Sequence, residues 1–384
     1  MRILRVSFLA LALIACDKGG GTTPPDEQPD EDLGDGKLTG QGPGGVGEVL
    51  AGMADADPKV IEAEALMGQG KYERALETID AAIAERPDYA RFHYVRGNAL
   101  TYLDRDDEAL VAYQKAVALD PKDAMPHAAV GSLIGLAYGA DADAKNQAIE
   151  HLQTALKLDP ELAAAHMALG VVLLDLGRYQ DAIAALENAD RLQGNVETAY
   201  NLAQAHARAG NDDKALEYAK SAIQYEPNAE GADIRLLYAR LLMKAGRMDD
   251  AIVEFEQIGK LVPESPPLRL EVARGLMEAG AADAAMVHMQ WLLDNVPNQA
   301  PVLVNYARIL QAQGKPKEAI AQFDAALALD PTSQAARTYR IEALVADKQC
   351  KVAKKATADL AKELGEQHRA VVRSREFLAA GKCK

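Results

Sequence analysis

Aromatic residues are scarce in this sequence, 5% of 384 residues with a single tryptophan, and cysteine is scarcer still, at three. The apolar run from Val6 to Ala15 is too short for a spanning helix, which needs about 20 such residues. No Gly-rich strand-to-helix turn leads into Lys-Ser or Lys-Thr, and neither GxSxG nor HExxH occurs, so the usual nucleotide and hydrolase signatures are missing. Positive charge is also short: 42 basic against 57 acidic residues leave a net charge of −15. Phosphate contacts are made by Lys and Arg, so an acidic chain of this kind is not expected to take nucleic acid as its main partner.

What is present is Ala and Leu, within a 49% hydrophobic composition. That mixture favours helix. Charge is unevenly spread. Residues 1–16 carry +2, residues 17–57 carry −8, residues 58–347 carry −15 and residues 348–384 carry +6.

The first sixteen residues, MRILRVSFLALALIAC, place two arginines before the apolar run. This is the pattern of a secretory signal. Its end, Leu13-Ile14-Ala15-Cys16, resembles the lipobox of bacterial lipoproteins. The resemblance implies cleavage before Cys16 and lipid on that residue, hence a chain held to a membrane of the bacterial cell envelope, on the periplasmic side. Residues 17–57 are rich in Gly, Pro, Thr and acids. They lack the apolar clusters that would offset ordering entropy. They read as a tether, spanning roughly 35 Å root-mean-square for such a coil.

Beyond the tether the sequence is periodic. Pro87, Pro121, Pro160, Pro227, Pro263, Pro297 and Pro331 punctuate it, several of them 34 residues apart, with Gly194 where one further proline would fall. Between these marks, small residues and one aromatic recur: Gly70, Tyr72, Ala75 and Ala82; Gly97, Ala109, Tyr113 and Ala116; Gly170, Gly177, Tyr179, Ala182 and Ala189; Ala307, Gly314, Ala319, Phe323 and Ala326. A 34-residue period of this kind resembles the tetratricopeptide repeat. The resemblance implies an all-α, right-handed superhelical solenoid of antiparallel helix pairs. It covers residues 58–347 as about eight repeats and the start of a ninth. Small residues at positions 8, 20 and 27 of the repeat let paired helices approach. Glycine near position 15 ends the first helix, and the proline stops the second.

The third repeat departs from the pattern by five residues in GADADAKN, residues 139–146. It lacks the spacing and terminal Glu of a calcium loop, and surface turns tolerate such insertions. After residue 347 the periodicity changes. Cys350–Leu364 and Glu366–Ala380 read as two helices of a C-terminal helical cap, residues 348–384, covering the apolar end that a solenoid must close. Cys350 and Cys383 flank this cap. Outside the cytoplasm they are expected to form a disulfide, and two thiols without His neighbours make a poor zinc shell.

Three of the seven His, His93, His127 and His166, fall at position 4 of consecutive repeats. Neighbouring helices lie about 8–10 Å apart, too far to share one zinc with bonds near ~2 Å. These His are therefore read as occupants of a slot for a large side chain, with no metal site and no cofactor. In the family, the first helices line a concave groove. The positions that face it there correspond here to Arg240, Arg274 and Arg308, with Arg235, Arg269 and Asn305 beside them and Tyr94 and Asn98 nearer the N-terminus. Guanidiniums would hold carboxylates or carbonyls of a bound peptide. The competing reading pairs these arginines with acids of adjacent repeats, such as Glu271 or Glu278. The expected function is a non-catalytic, membrane-anchored scaffold that binds a protein or peptide, not a small-molecule substrate, in assembly of an envelope, secretion or pilus complex. The alternative is a cell-wall-associated adaptor or enzyme regulator that uses the basic cap.

Overall fold

A computed structural model describes residues 57–137, 140–228 and 231–383. Cys16 and the tether up to residue 56 lie outside the described residues, as do Tyr138 and Gly139 of the third repeat. Among the described residues the chain forms nineteen α-helices and no strand. The chain divides into two compact bodies, one ending at Gly210 and the other beginning at Asn211.

The first body holds α1 (Pro58–Gly68), α2 (Tyr72–Glu85), α3 (Ala90–Tyr102), α4 (Asp106–Leu119), α5 (Ala124–Gly135), α6 (Ala142–Leu158), α7 (Ala163–Asp175), α8 (Tyr179–Gln193) and α9 (Val196–Ala209). The second holds α10 (Asp212–Tyr225), α11 (Ala232–Lys244), α12 (Met248–Leu261), α13 (Pro266–Glu278), α14 (Ala282–Asn295), α15 (Ala300–Ala312), α16 (Pro316–Leu329), α17 (Gln334–Ala346), α18 (Cys350–Leu364) and α19 (Arg369–Ala380). Odd-numbered helices up to α17 are the first helices of repeats and the even-numbered ones are the second.

In eight of the nine repeats, all but the third, the turn between the two helices is built the same way. One residue with positive φ follows the first helix: Gly70, Asp104, Gly177, Gly210, Gly246, Gly280, Gly314 and Lys348, with φ between 57° and 88°. In seven of these turns the next residue returns its N–H to a leucine carbonyl five residues back, as Arg105 does to Leu100 at 3.0 Å and Gln349 to Leu344 at 2.8 Å. This is the Schellman closure, which satisfies the otherwise free last carbonyls of the helix.

Close pairing follows from size matching. A Cβ on Gly97 would lie 2.4 Å from the Tyr113 ring, one on Gly131 2.7 Å from Leu152, and one on Gly170 2.5 Å from Leu186. Each of these three glycines makes room for a large residue on its partner helix. The ninth repeat reverses the sizes: Ile341 takes the small-residue position and Thr357 the large one, both buried. Fully burying each of the large side chains, such as Phe255 and Phe323, contributes about 1.5–3 kcal/mol.

Two segments differ from expectation. The inserted residues of the third repeat do not form only a longer turn: Asp141 caps Ala144 N–H at 2.9 Å, and α6 starts early and runs for 17 residues, against 14 for α4. The expected two-helix cap is also divided differently. α18 pairs with α17 across the same Schellman turn and completes a ninth repeat. Only α19 is additional, and it starts at Arg369 because Gly365, at φ 89°, and the His368 N-cap break the chain first. α19 covers α17 through Val371, which shares a core with Ile341, Leu344 and Leu360.

Candidate peptide-binding face

In six of the nine repeats, position 4 shares one structural task. His93, His127 and His166 each donate Nε2–H to the carbonyl of the proline six residues earlier, Pro87, Pro121 and Pro160, at 2.7, 3.2 and 3.0 Å. Arg269 and Arg337 do the same to Pro263 and Pro331, and Arg235 reaches Pro227 at 3.4 Å. A helix end leaves carbonyls without partners, and the next repeat supplies the donor. His93 and His127 are buried in the slot that the sequence reading gave them, and with the other four residues they also act as polar staples between repeats.

These staples have second partners on the following helix. Arg235 pairs with Glu254 at 2.8 Å. Arg269 stacks on Trp291 at 4.3 Å and approaches His288 Nδ1 at 3.4 Å. His127 Nδ1 meets His151 Nδ1 at 3.3 Å. Glu254, His288 and His151 each lie nine residues before the proline that ends their own repeat. That shared offset is the sequence signal that points to them. Burial and the neighbouring Arg269 lower the His288 pKa, and burial and the neighbouring His127 lower that of His151. Arg235 and Arg269, expected in the groove, are thus engaged at the turns between repeats.

The N-terminal candidates are corrected more sharply. Tyr94 and Asn98 are buried at 2% and 1% exposure and do not line an open face. Gly97 lets Tyr113 come close enough to donate its hydroxyl hydrogen to Asn98 Oδ1 at 2.9 Å. Burial pushes the Tyr94 phenol up to about 12. Asn305 is half-buried and donates to Pro301 O of its own helix at 2.8 Å.

The position-9 arginines are different. Arg240 on α11 and Arg274 on α13 both bond the Glu271 carboxylate, as the competing sequence reading had it. Their side chains are 51% and 41% exposed. One carboxylate offsets one of two positive charges, so an exposed guanidinium charge remains. Exposed pairs of this kind contribute roughly 0.2–1 kcal/mol each and are readily exchanged for an incoming anion. Arg308 on α15 lies 4.6 Å over the Tyr339 ring. Beside this row, Leu236 and Val304 are core residues, while Met243, Leu270 and Met277 are half-buried.

At the C-terminal end, a disulfide joins Cys350 to Cys383, with Cα atoms 5.3 Å apart. Every second helix from α2 to α16 carries an acid in its first turn, whereas α18 has none. Lys351 stands there instead, with Lys354 and Lys355 in the following turn, all three exposed. Among the described residues, no helix is long and apolar enough to cross a membrane.

Two family models, each described as a tetratricopeptide repeat, match this chain, one over residues 62–124 and 135–196, the other over 173–229, 209–274 and 276–338. The chain belongs to the tetratricopeptide-repeat family, whose members are generally non-catalytic scaffolds that bind proteins or peptides. Among curated proteins, nothing matches the sequence. Among solved structures, the Cut9–Hcn1 hetero-tetramer of the APC/C is similar at 18% identity and TM-score 0.49, over 76% of this chain and 57% of that one. The chain thus spans little more than half the length of that relative. PilF of Pseudomonas aeruginosa is similar at 19% identity and TM-score 0.45, over 56% of this chain and 94% of that one. PilW, a widely conserved type IV pilus biogenesis factor, is similar at 18% identity and TM-score 0.40, over 64% of this chain and 94% of that one. At these identities the likeness is one of fold.

Proposed function

We propose that this protein is a scaffold of the bacterial cell envelope, anchored through lipid on Cys16, that holds an acidic protein or peptide along the first helices of its second body. The observation that carries the binding reading is the shared Glu271: two exposed guanidiniums 34 residues apart divide one carboxylate. A carboxylate from a partner would complete that balance, and Met243, Leu270 and Met277 would adapt to its apolar neighbours. Assembly of an envelope, secretion or pilus complex is the setting that an anchored scaffold suits.

Crosslinking in cells tests the face. Replacing Arg240, Arg274 and Arg308 together by alanine is expected to reduce capture of the native partner at least tenfold while leaving the helical signal unchanged. Undiminished capture would remove this face from the proposal. The anchor is tested separately: Cys16→Ser is expected to move the protein from the membrane fraction to the soluble one.

A second reading is favoured by α18. A cation in the first turn of a helix opposes the helix dipole, so Lys351 is placed where the fold gains nothing from it, and Lys354 and Lys355 follow in the next turn. With Arg369, Arg373 and Arg375 they would suit an anionic wall polymer. Pelleting with purified cell wall that weakens steeply with salt, and is lost on charge reversal of the three lysines, would support this reading.

A further inference from the structure

His127 and His151 are the only described pair of histidines in which two ring nitrogens face each other within hydrogen-bond distance, 3.3 Å between Nδ1 atoms. The Pro121 carbonyl can only accept, so His127 keeps its hydrogen on Nε2. In neutral His127 this leaves Nδ1 as a bare lone pair. That lone pair faces His151, so a single proton lies between the two rings.

We infer that this pair is a binding site for a late first-row divalent cation of the Zn²⁺, Ni²⁺ or Cu²⁺ class, which replaces the shared proton. Imidazole nitrogen suits these ions. With metal–nitrogen bonds of about 2.0–2.1 Å, nitrogens 3.3 Å apart subtend roughly 104–111° at the metal, which brackets the tetrahedral angle. The backbone carbonyl on His127 Nε2–H is the outer contact that metal-bound histidines characteristically make, fixing tautomer and ring orientation. His127 is 8% exposed and held in place. His151 is half-buried, so its ring is the one that turns to bring the two lone pairs together, and its Nε2 takes up the remaining hydrogen. Water completes the shell, since among the described residues no group of three or more His, Cys, Asp or Glu is placed to hold a metal.

Three comparisons within the chain sharpen the site. His93 and His166 make the same proline contact as His127, but the place of His151 is filled by Ala112 and Ala185 in their repeats. In the repeats of Arg235 and Arg269 the facing residues are Glu254 and His288, and a guanidinium occupies the position of the first ligand. Only the third repeat presents two nitrogen lone pairs. It is also the repeat with the insertion, which lengthens the step between the paired residues to 24 from the 19 that separates Arg235 from Glu254 and Arg269 from His288.

Calorimetric titration of the full chain with Zn²⁺, and separately with Ni²⁺, tests the site. The expected result is one saturable ion per chain at pH 7.5, weakening as pH falls because protons compete for the same nitrogens. His151→Ala installs the residue the neighbouring repeats already carry and is expected to weaken binding at least tenfold with an unchanged metal-free Tm. His166→Ala is expected to leave binding intact. Metal should raise the Tm of the parent and of His166→Ala, but not of His151→Ala. No saturable binding, or equal binding by the parent and His151→Ala, overturns the site.

Discussion

Single residues in this chain are chosen for backbone conformation and clearance before anything else. The left-handed position after eight of the nine first helices shows the first constraint. Six of its occupants are glycine, but Asp104 and Lys348 fill it in the second and ninth repeats, at φ 57° and 62°. Asp tolerates this region through local hydrogen bonding, while a long side chain pays a steric cost of roughly 1–2 kcal/mol. A Cβ on the neighbouring-repeat glycines Gly246, Gly280 and Gly314 meets nothing within 4 Å, so the strain at Lys348 is one of backbone conformation alone. Lys348→Gly is therefore expected to stabilise the protein by up to about 1 kcal/mol, after the extra unfolded-state entropy of glycine is set against the relieved strain. Thermal unfolding of the C-terminal body measures it, and an unchanged or lower Tm would show that Lys348 is not strained. Position 4 teaches the complementary lesson. The recurrence of His93, His127 and His166 was plain in the sequence, but its purpose was not. The acceptor is a main-chain carbonyl six residues back, and any residue supplies a carbonyl, so no side-chain pattern marks it.

Helices and their pairing were legible because packing constrains side-chain size at fixed intervals. Gly97 against Tyr113 and Gly170 against Leu186 are readable as small–large pairs, and αL glycines mark the turn between them. The ninth repeat is hard to see in the sequence because Ile341 and Thr357 exchange the usual sizes and Lys348 stands where glycine is expected. The volume is conserved although the motif is not. Its helix α18 is further tied to the end of α19 by Cys350–Cys383, across 33 residues of chain. Closing a loop of that length lowers the entropy of the unfolded chain by an amount worth about 3–4 kcal/mol on the chain-entropy account. α19 buries few residues, chiefly Val371 and Ser374, so the crosslink supplies a large share of what holds it. Reduction with dithiothreitol is expected to bring forward the loss of α17–α19 in denaturant while the first body unfolds as before. Amide exchange read helix by helix follows both. A terminal helix equally protected with and without reductant would mean that Val371 and its neighbours suffice.

At the scale of the whole molecule, the sequence specified the repeat far better than the binding face. Repeats must interlock, so their core residues are fixed in kind and spacing. A groove residue answers only to a partner, and until that partner is present it satisfies itself within the chain, as Arg240 and Arg274 do on Glu271. The same modularity governs stability. In a stack, each repeat is stabilised by its own core and by its immediate neighbours, so damage should remain local. Gly170→Val tests this in the first body. The added side chain would start 2.5 Å from Leu186, and overpacking of this kind costs roughly 1–3 kcal/mol or more. Hydrogen exchange is expected to accelerate in α7 and α8 and, to a smaller degree, in the helices packed against them within that body. The amides of α13–α19 should keep their parental rates. Uniform acceleration throughout the 384 residues would instead mean that the chain unfolds as one cooperative whole and that its two bodies are not separate units of stability. The expected pattern has a consequence for binding. A partner that engages Arg240, Arg274 and Arg308 would protect the amides of α11, α13 and α15, and the same exchange measurement on the Gly170→Val protein would show that protection undiminished.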